Sequence, residues 1–217
     1  MFYSTLTMEI LKNFAVFEGL DGSGTSTQIG ILDDFFNKSR LSIPSFYKTF
    51  EPTNGSIGKL IRSALRKEII LEQKTIALLF AADRNEHIYG QGGIAERCSR
   101  GELVVSDRYL PSSLVYQGIT CGDEYPILIN QGFPGPELLL FFDIDPEIAI
   151  KRIAGREYKE IYEYLEFQTL VRQRYKALLP HLSEQGIRVE TIDASFPPEK
   201  VAGEVWAAIE KMPIMKK

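Results

Sequence analysis

The sequence predicts an α/β protein of three layers, a five-stranded parallel sheet between helices, and three observations lead there. Short β-rich runs alternate with helical patterns along the chain, the signature of strands joined by crossover helices. Two of the runs, ELVVS and ELLLFFD, are almost wholly apolar, as strands are when helices cover both faces. A glycine-rich loop follows the first run and leads into an amphipathic stripe, placing a candidate site at a strand's carboxyl end.

Taken in order, Asn13 to Glu18 (NFAVFE) reads as the first strand, and Ile29, Leu32, Phe35 and Phe36 mark the buried stripe of the helix after the loop. Pro44 to Phe50 (PSFYKTF) is the second strand, followed by Ile57, Leu60, Ile61, Ala64 and Leu65 at the i, i+3, i+4, i+7, i+8 spacing of a buried helical face. Glu102 to Ser106 and Glu137 to Asp143 are the third and fourth strands. Asp145-Pro146-Glu147 then supplies a helix N-cap, a first-turn proline and an acid at the positive dipole end. Ile187 to Ile192 closes the sheet. With no internal repeat or linker, residues 13–217 read as one domain and 1–12 as a short N-terminal extension, in which Met8 would serve as a start as well as Met1.

Composition limits the classes of function. A net charge of −4 gives no general attraction to nucleic acid or an anionic membrane, so any bound phosphate must be held by a local site. Cys98 and Cys121 lie far apart, and with only His87 and His181 beside them a zinc cage is not expected; they read as free thiols of a reducing cytosol. No basic start with a long apolar run opens the chain, and no stretch approaches eighteen apolar residues, so the expectation is a cytoplasmic protein.

The loop FEGLDGSGTSTQ nearly completes the phosphate-binding pattern G-x-x-x-x-G-K-[ST]: Gly19, Gly24 and Ser26 stand in place, but Thr25 occupies the lysine position. Gly19, Gly22 and Gly24 let the backbone turn and aim N–H groups inward, beside a helix N-terminus. Ser26 offers a hydroxyl to Mg²⁺. The competing reading is a glycine-rich turn with no ligand; the strand before it, the helix after it, Ser26 and Thr27 point instead to nucleotide phosphate.

Four further motifs, EPTNGSIGKLIR (Glu51 to Arg62), LLFAADRNEHI (Leu78 to Ile88), SDRYLPSSLVYQG (Ser106 to Gly118) and IDASFPPEKV (Ile192 to Val201), resemble thymidylate kinases in order and spacing, from Phe14 to Val201. The resemblance implies a P-loop nucleoside monophosphate kinase fold with a lid at about residues 155–163, commonly as a homodimer. It implies Mg²⁺-dependent transfer of the ATP γ-phosphoryl to dTMP, with nucleotides rather than nucleic acids as partners. ATP and its phosphates would be held by Gly19, Gly22, Ser23, Gly24, Thr25, Ser26 and Thr27, and the adenine would lie by Asp193, Ala194, Ser195 and Phe196. Ser26 and Asp107 would hold Mg²⁺, Asp107 partly through water. For dTMP, the resemblance assigns Asp21 to the 3′-hydroxyl, Phe80 and Arg84 to the base, Arg108 to the monophosphate and Tyr116 to the deoxyribose, with Glu51, Ser113 and Gln117 nearby.

Taken as bare residues, Phe80 also reads as core, Arg84 as a solvated charge beside Asp83, and Asp107 with Arg108 as a structural ion pair. Phe50 stands where the family usually carries arginine, and the lid has Glu160, Ile161, Tyr162 and Glu163 where an Asp-Arg pair is frequent. Arg152 and Arg156, four apart after Asp145, are candidates to supply catalytic charge or are solvent-facing helix residues; Lys159 reads as the latter. These departures keep two alternatives in view: a nucleotide-binding pseudokinase, or a kinase for another pyrimidine deoxynucleotide or a deoxynucleoside.

Overall fold

A computed structural model describes residues 7–39, 44–154 and 164–216. Five strands form one sheet, β1 (Ile10–Gly19), β2 (Phe46–Phe50), β3 (Leu103–Asp107), β4 (Gly135–Asp143) and β5 (Arg188–Asp193), in the order β2-β3-β1-β4-β5. All neighbours run parallel. Phe14 to Phe17 of β1, Leu103 to Val105 of β3 and Leu138 to Phe142 of β4 are fully buried, which is why these runs carry almost no polar alternation.

The first helix is α1 (Thr25–Lys38), and α2 (Ser56–Leu65), α3 (Gln73–Tyr89) and α4 (Ile94–Ser99) join β2 to β3. Then come α5 (Leu110–Cys121) and α6 (Glu124–Ile129), α7 (Pro146–Ile153) and α8 (Leu165–Glu184), and finally α9 (Pro198–Ile209). Right-handed crossovers sort them into layers. The step from β1 to β2 runs across the sheet in one direction and the later steps, β2 to β3 to β4 to β5, run in the other. Accordingly α1 packs with α9 on one face, while α4 lies on β1 and β3 and α8 on β5 from the opposite face.

Three local details differ from the sequence expectation. The first strand begins at Ile10, so residues 10–12, expected in the extension, belong to it, and Ile10 and Leu11 pair with Gly135 and Pro136. A register shift between Leu11 and Ala15 separates that part from the rest, and Asn13 at its centre has φ 65°, a conformation asparagine tolerates. Its N–H donates to Glu137 Oε2 at 2.8 Å and its side chain to the Cys98 carbonyl at 3.0 Å, so the bulge leaves neither group unsatisfied. In the α1 stripe Phe35 is 39% exposed, with its ring 4.3 Å from that of Trp206 on α9, and in the α2 stripe Leu60 is 43% exposed. Both stripes are wider than the faces that the neighbouring elements bury.

Candidate active site

The carboxyl ends of the strands meet a cleft of about 910 Å³, of the size that holds a small ligand. Its floor is the loop from Leu20 to Thr27. Gly22 and Gly24 have φ 87° and 97°, which other residues rarely adopt. A Cβ at Gly22 would lie 2.3 Å from the carbonyl oxygen of Ala149, because α7 packs directly on the loop. Gly24 caps α1 without a side-chain hydrogen bond, so the first N–H groups of the helix are left to an anion. Ser23 turns inward: its N–H donates to the Leu20 carbonyl at 3.0 Å, and its Oγ is buried against Gly19. Thr25 is 8% exposed and lines the cleft. Ser26 Oγ donates to Asp107 Oδ2, bringing together the hydroxyl and the carboxylate expected at a metal.

Arg108, directly after β3, has φ 67°; its N–H is held by the Phe17 carbonyl at 2.9 Å and its own carbonyl by Ser106 Oγ at 2.7 Å. Its guanidinium is fixed from three directions. Nη2 donates to Asp21 Oδ1 at 2.6 Å, and Nη1 to the Gly19 carbonyl at 3.1 Å and to Ser112 Oγ at 3.2 Å. The Tyr116 ring lies 5.4 Å away. Burial opposes the Arg108 charge, but Tyr116, Asp21, Tyr175 and Glu18 hold its pKa above the ordinary arginine value. Asp21 also accepts from Gln168 Nε2 on α8 at 3.1 Å. Asp107 and Arg108 are therefore not an ion pair; each has its partner on the loop after β1.

Behind Arg108 lies Glu18, fully buried at the end of β1. Its Oε1 accepts from the N–H groups of Tyr109 and Ser112 at 2.9 and 3.3 Å, and its Oε2 from Ser112 Oγ and Tyr175 Oη, both at 2.7 Å. Burial pushes the Glu18 pKa up to about 7, against the lowering pull of Arg108 and these hydrogen bonds.

At the far end of the cleft Phe80 and Arg84 line one wall from α3. Arg84 is 1% exposed, far from a solvated charge. It donates to Glu51 Oε2 at 3.0 and 2.7 Å, to Ser113 Oγ at 2.9 Å and to Asn130 Oδ1. His87 Nδ1 meets the other oxygen of Glu51 at 3.1 Å and its Nε2 meets Thr49 Oγ1 at 2.6 Å. Gln117 is buried beside them, and its Oε1 has no partner among the described residues. Arg62 of α2 also lines the cleft, standing 6.0 Å over the Phe50 ring and donating to the Pro52 and Thr53 carbonyls.

The opposite end is walled by Gln28, Ala194, Phe196, Pro198 and Val201. Asp193 and Ser195, expected beside them, instead bond to each other, Oδ1 accepting from the Ser195 N–H at 2.9 Å and its Oγ at 2.6 Å. Those hydrogen bonds lower the Asp193 pKa. Arg152 reaches the cleft from α7. Arg156, Lys159 and the rest of the expected lid, Glu160 to Glu163 included, lie outside the described residues.

Comparison with known proteins decides which family builds such a cleft. The family model described as thymidylate kinase matches residues 17–205. The chain belongs to the thymidylate kinase family. A Treponema pallidum protein provisionally named thymidylate kinase is 44% identical over 172 residues, 79% of this chain and 81% of that protein. One from Pyrobaculum aerophilum is 40% identical over 200 residues, covering 92% and 97%. One from Methanococcus maripaludis is 38% identical over 214 residues, covering 94% and 98%. Both carry the same provisional name.

Within this thymidylate kinase fold the sequence reading brought most of its residues to the cleft. Gly22, Ser23, Gly24, Thr25, Ser26 and Thr27 of the loop line it, as do Asp21, Glu51, Phe80, Arg84, Asp107, Arg108, Ser113, Tyr116, Gln117, Arg152 and Ala194. Gly19 touches the site through its carbonyl, which Arg108 binds. Reading by motif missed Glu18, Gln28, Arg62, His87, Ser112, Asn130, Gln168 and Tyr175. For Glu18 a signal was there, a carboxyl in an otherwise apolar strand directly before the loop.

Proposed function

We propose that this chain transfers the γ-phosphoryl group of ATP to dTMP, giving dTDP and ADP, in nucleotide biosynthesis. One arrangement supports the reading above all: the phosphate loop and the Arg108 guanidinium face one cleft, linked through Gly19 and Asp21 at 3.1 and 2.6 Å. Two anionic groups can thus be held close together, which is most of what phosphoryl transfer asks of a protein. The loop N–H groups and the start of α1 receive the donor phosphates, and Arg108 receives the acceptor phosphate. The wall of Phe80, Arg84, Ser113 and Gln117 offers a ring face and polar groups to a pyrimidine. Tyr116, buried beside Arg108, crowds a ribose 2′-hydroxyl and favours deoxyribose.

The residues present fit Mg²⁺. Ser26 and Asp107 put a hydroxyl and a carboxylate oxygen side by side, and Mg²⁺ is bound through one or two protein oxygens together with substrate phosphates and water. When bound, the ion neutralises charge on the phosphates. Arg152, and Arg156 of the lid, supply further positive charge. No described helix is long and apolar enough to cross a membrane. A cytoplasmic homodimer agrees with this reading, and the exposed Leu60 and Leu78 on α2 and α3 offer apolar surface for a second copy.

An ADP-release assay with ATP and a panel of acceptors tests the proposal. dTMP should be turned over in preference to its ribose form, to dCMP and to dGMP. Equal turnover of the ribose form would remove Tyr116 from its role. Nucleotide binding without turnover of any monophosphate would favour the pseudokinase reading that Thr25 raises.

A further inference from the structure

Glu18 is fully buried and does not line the cleft, yet it is joined to the acceptor-phosphate arginine by a short chain of hydrogen bonds. Arg108 Nη1 donates to Ser112 Oγ at 3.2 Å, Ser112 Oγ donates to Glu18 Oε2 at 2.7 Å, and Tyr175 Oη donates to that oxygen at 2.7 Å while lying 2.9 Å from Ser112 Oγ. The other oxygen takes the backbone N–H groups of Tyr109 and Ser112. Every contact to the carboxyl is thus a donor pointing inward, from the turn after Arg108, from α5 and from α8.

We propose that Glu18 is a positioning residue for the acceptor phosphate: it orients Ser112 and the turn after Arg108, so that the guanidinium is held ready in the cleft. The proposal rests on the reading that Arg108 binds the monophosphate of dTMP. The physical reason is directional. A hydroxyl that gives its proton to a carboxylate must present a lone pair elsewhere, and Arg108 Nη1 uses that lone pair. Arg108 is also in a left-handed conformation that a side chain of its size seldom adopts, so the turn needs fixed partners on both sides. Phe17 and Ser106 hold one side. Glu18 holds the other through Tyr109 and Ser112.

Glu18→Gln keeps the shape but reverses the polarity of one of the two oxygens. The remaining carbonyl oxygen can satisfy the two backbone N–H groups, and the new amide N–H then faces Ser112 Oγ and Tyr175 Oη, so the serine no longer gives its proton to residue 18 and its lone pairs receive a donor that competes with Arg108 Nη1. Tyr175→Phe removes one donor and keeps the ring packed against Phe141, whose centroid is 5.1 Å away. At pH 8, above the Glu18 pKa of about 7 so that the carboxylate is the prevailing form, titration calorimetry of dTMP and steady-state kinetics on the parent, both variants and Arg108→Ala test the idea, with thermal unfolding run alongside. Glu18→Gln should weaken dTMP about tenfold in both Kd and KM, the size of one hydrogen bond, with KM for ATP unchanged. Tyr175→Phe should act in the same direction and less. A merely structural role would lower the active fraction, hence kcat, and leave both KM values alone. An unchanged or lowered KM for dTMP in Glu18→Gln, with Arg108→Ala still impaired, would overturn the role of Glu18 and leave the placement of the phosphate intact. Unchanged dTMP affinity in Arg108→Ala would overturn that placement and the proposal with it.

Discussion

Ser26 Oγ at the start of α1 donates a hydrogen bond to Asp107 Oδ2 at the end of β3, tying the phosphate loop to the neighbouring strand. The register explains the meeting, since Phe17, just before the loop, is the β1 partner of Asp107. Asp107→Asn keeps a group that can bond to Ser26 but removes the charge that a hard cation needs. Turnover with Mg²⁺ should fall by about 10²–10³, by analogy with the loss of one preorganised electrostatic contact. Affinity for dTMP measured by calorimetry should hardly change. A variant with parental kcat would remove Asp107 from the metal site.

The Glu51 and Arg84 pair gives a stability prediction. Both side chains are nearly inaccessible, and Arg84 spends two of its donors on Glu51 Oε2, at 3.0 and 2.7 Å. Removing one partner of a buried ion pair leaves an uncompensated charge and typically costs about 3–5 kcal/mol. Glu51→Ala should therefore unfold at a clearly lower temperature than the parent in calorimetric scans. The double variant Glu51→Ala with Arg84→Met should recover part of the loss. If the single variant melted with the parent, the pair would carry no such weight.

Burial of Glu18 gives stability a dependence on pH whose sign can be worked out. Its pKa is raised from 4.5 to about 7 in the folded protein, so between those values the folded state binds more protons than the unfolded one. Its contribution to stability is fully present below about pH 4.5 and is lost as pH rises through about 7. The groups facing it are Arg108 from the turn after β3, Ser112 of α5 and Tyr175 of α8, with the backbone N–H of Tyr109; Tyr116 of α5 and Asp21 of the loop act on it through Arg108. One pKa unit is about 1.4 kcal/mol, so ionising Glu18 in place costs on the order of 3 kcal/mol. The stability of the parent relative to Glu18→Gln should thus fall by about that amount between pH 5 and pH 8. A constant difference in urea titrations across that range would contradict the assignment.

What the sequence disclosed and what it hid follow from physical range. Buried strands announce themselves because every position must be apolar, as in Leu138 to Phe142, and the loop announces itself through glycines needed for left-handed φ angles. Side-chain partners do not, because they are set by tertiary proximity. Asp83 stood beside Arg84 in sequence, but adjacent residues on a helix point apart. Asp83 in fact accepts from the N–H and Oγ1 of Thr53, both at 2.7 Å, while Arg84 reaches Glu51 on the far side. The Tyr175 hydroxyl bonds to Glu18 across 157 positions, a pairing that neither periodicity nor motif encodes. The strand start at Ile10 was hidden for a smaller reason: Asn13, polar and left-handed, interrupts the apolar run with a bulge.

Thr25 bears on how the charge of the moving phosphoryl group is met. It is the first residue of α1 and lines the cleft, where it can offer a hydroxyl but no positive charge. Four of the described cations of the cleft wall are engaged. Lys48 pairs with Asp33 at 2.6 Å, Arg62 binds the Pro52 and Thr53 carbonyls, Arg84 binds Glu51 and Arg108 binds Asp21. Arg152 is the described cleft cation on α7, the helix whose Ala149 carbonyl abuts Gly22 of the loop. The prediction is that Thr25→Lys raises kcat/KM for ATP, by up to about 10²–10³ if it restores a full preorganised contact. Arg152→Ala and Arg156→Ala should each lower the parent's rate, and each should cost less once Thr25→Lys is present, because groups that neutralise one charge are not additive. Single-turnover rates of the six proteins decide it. If Thr25→Lys gains nothing and neither arginine variant loses anything, the missing charge is supplied by a different residue and the compensation argued for α7 and the lid is wrong.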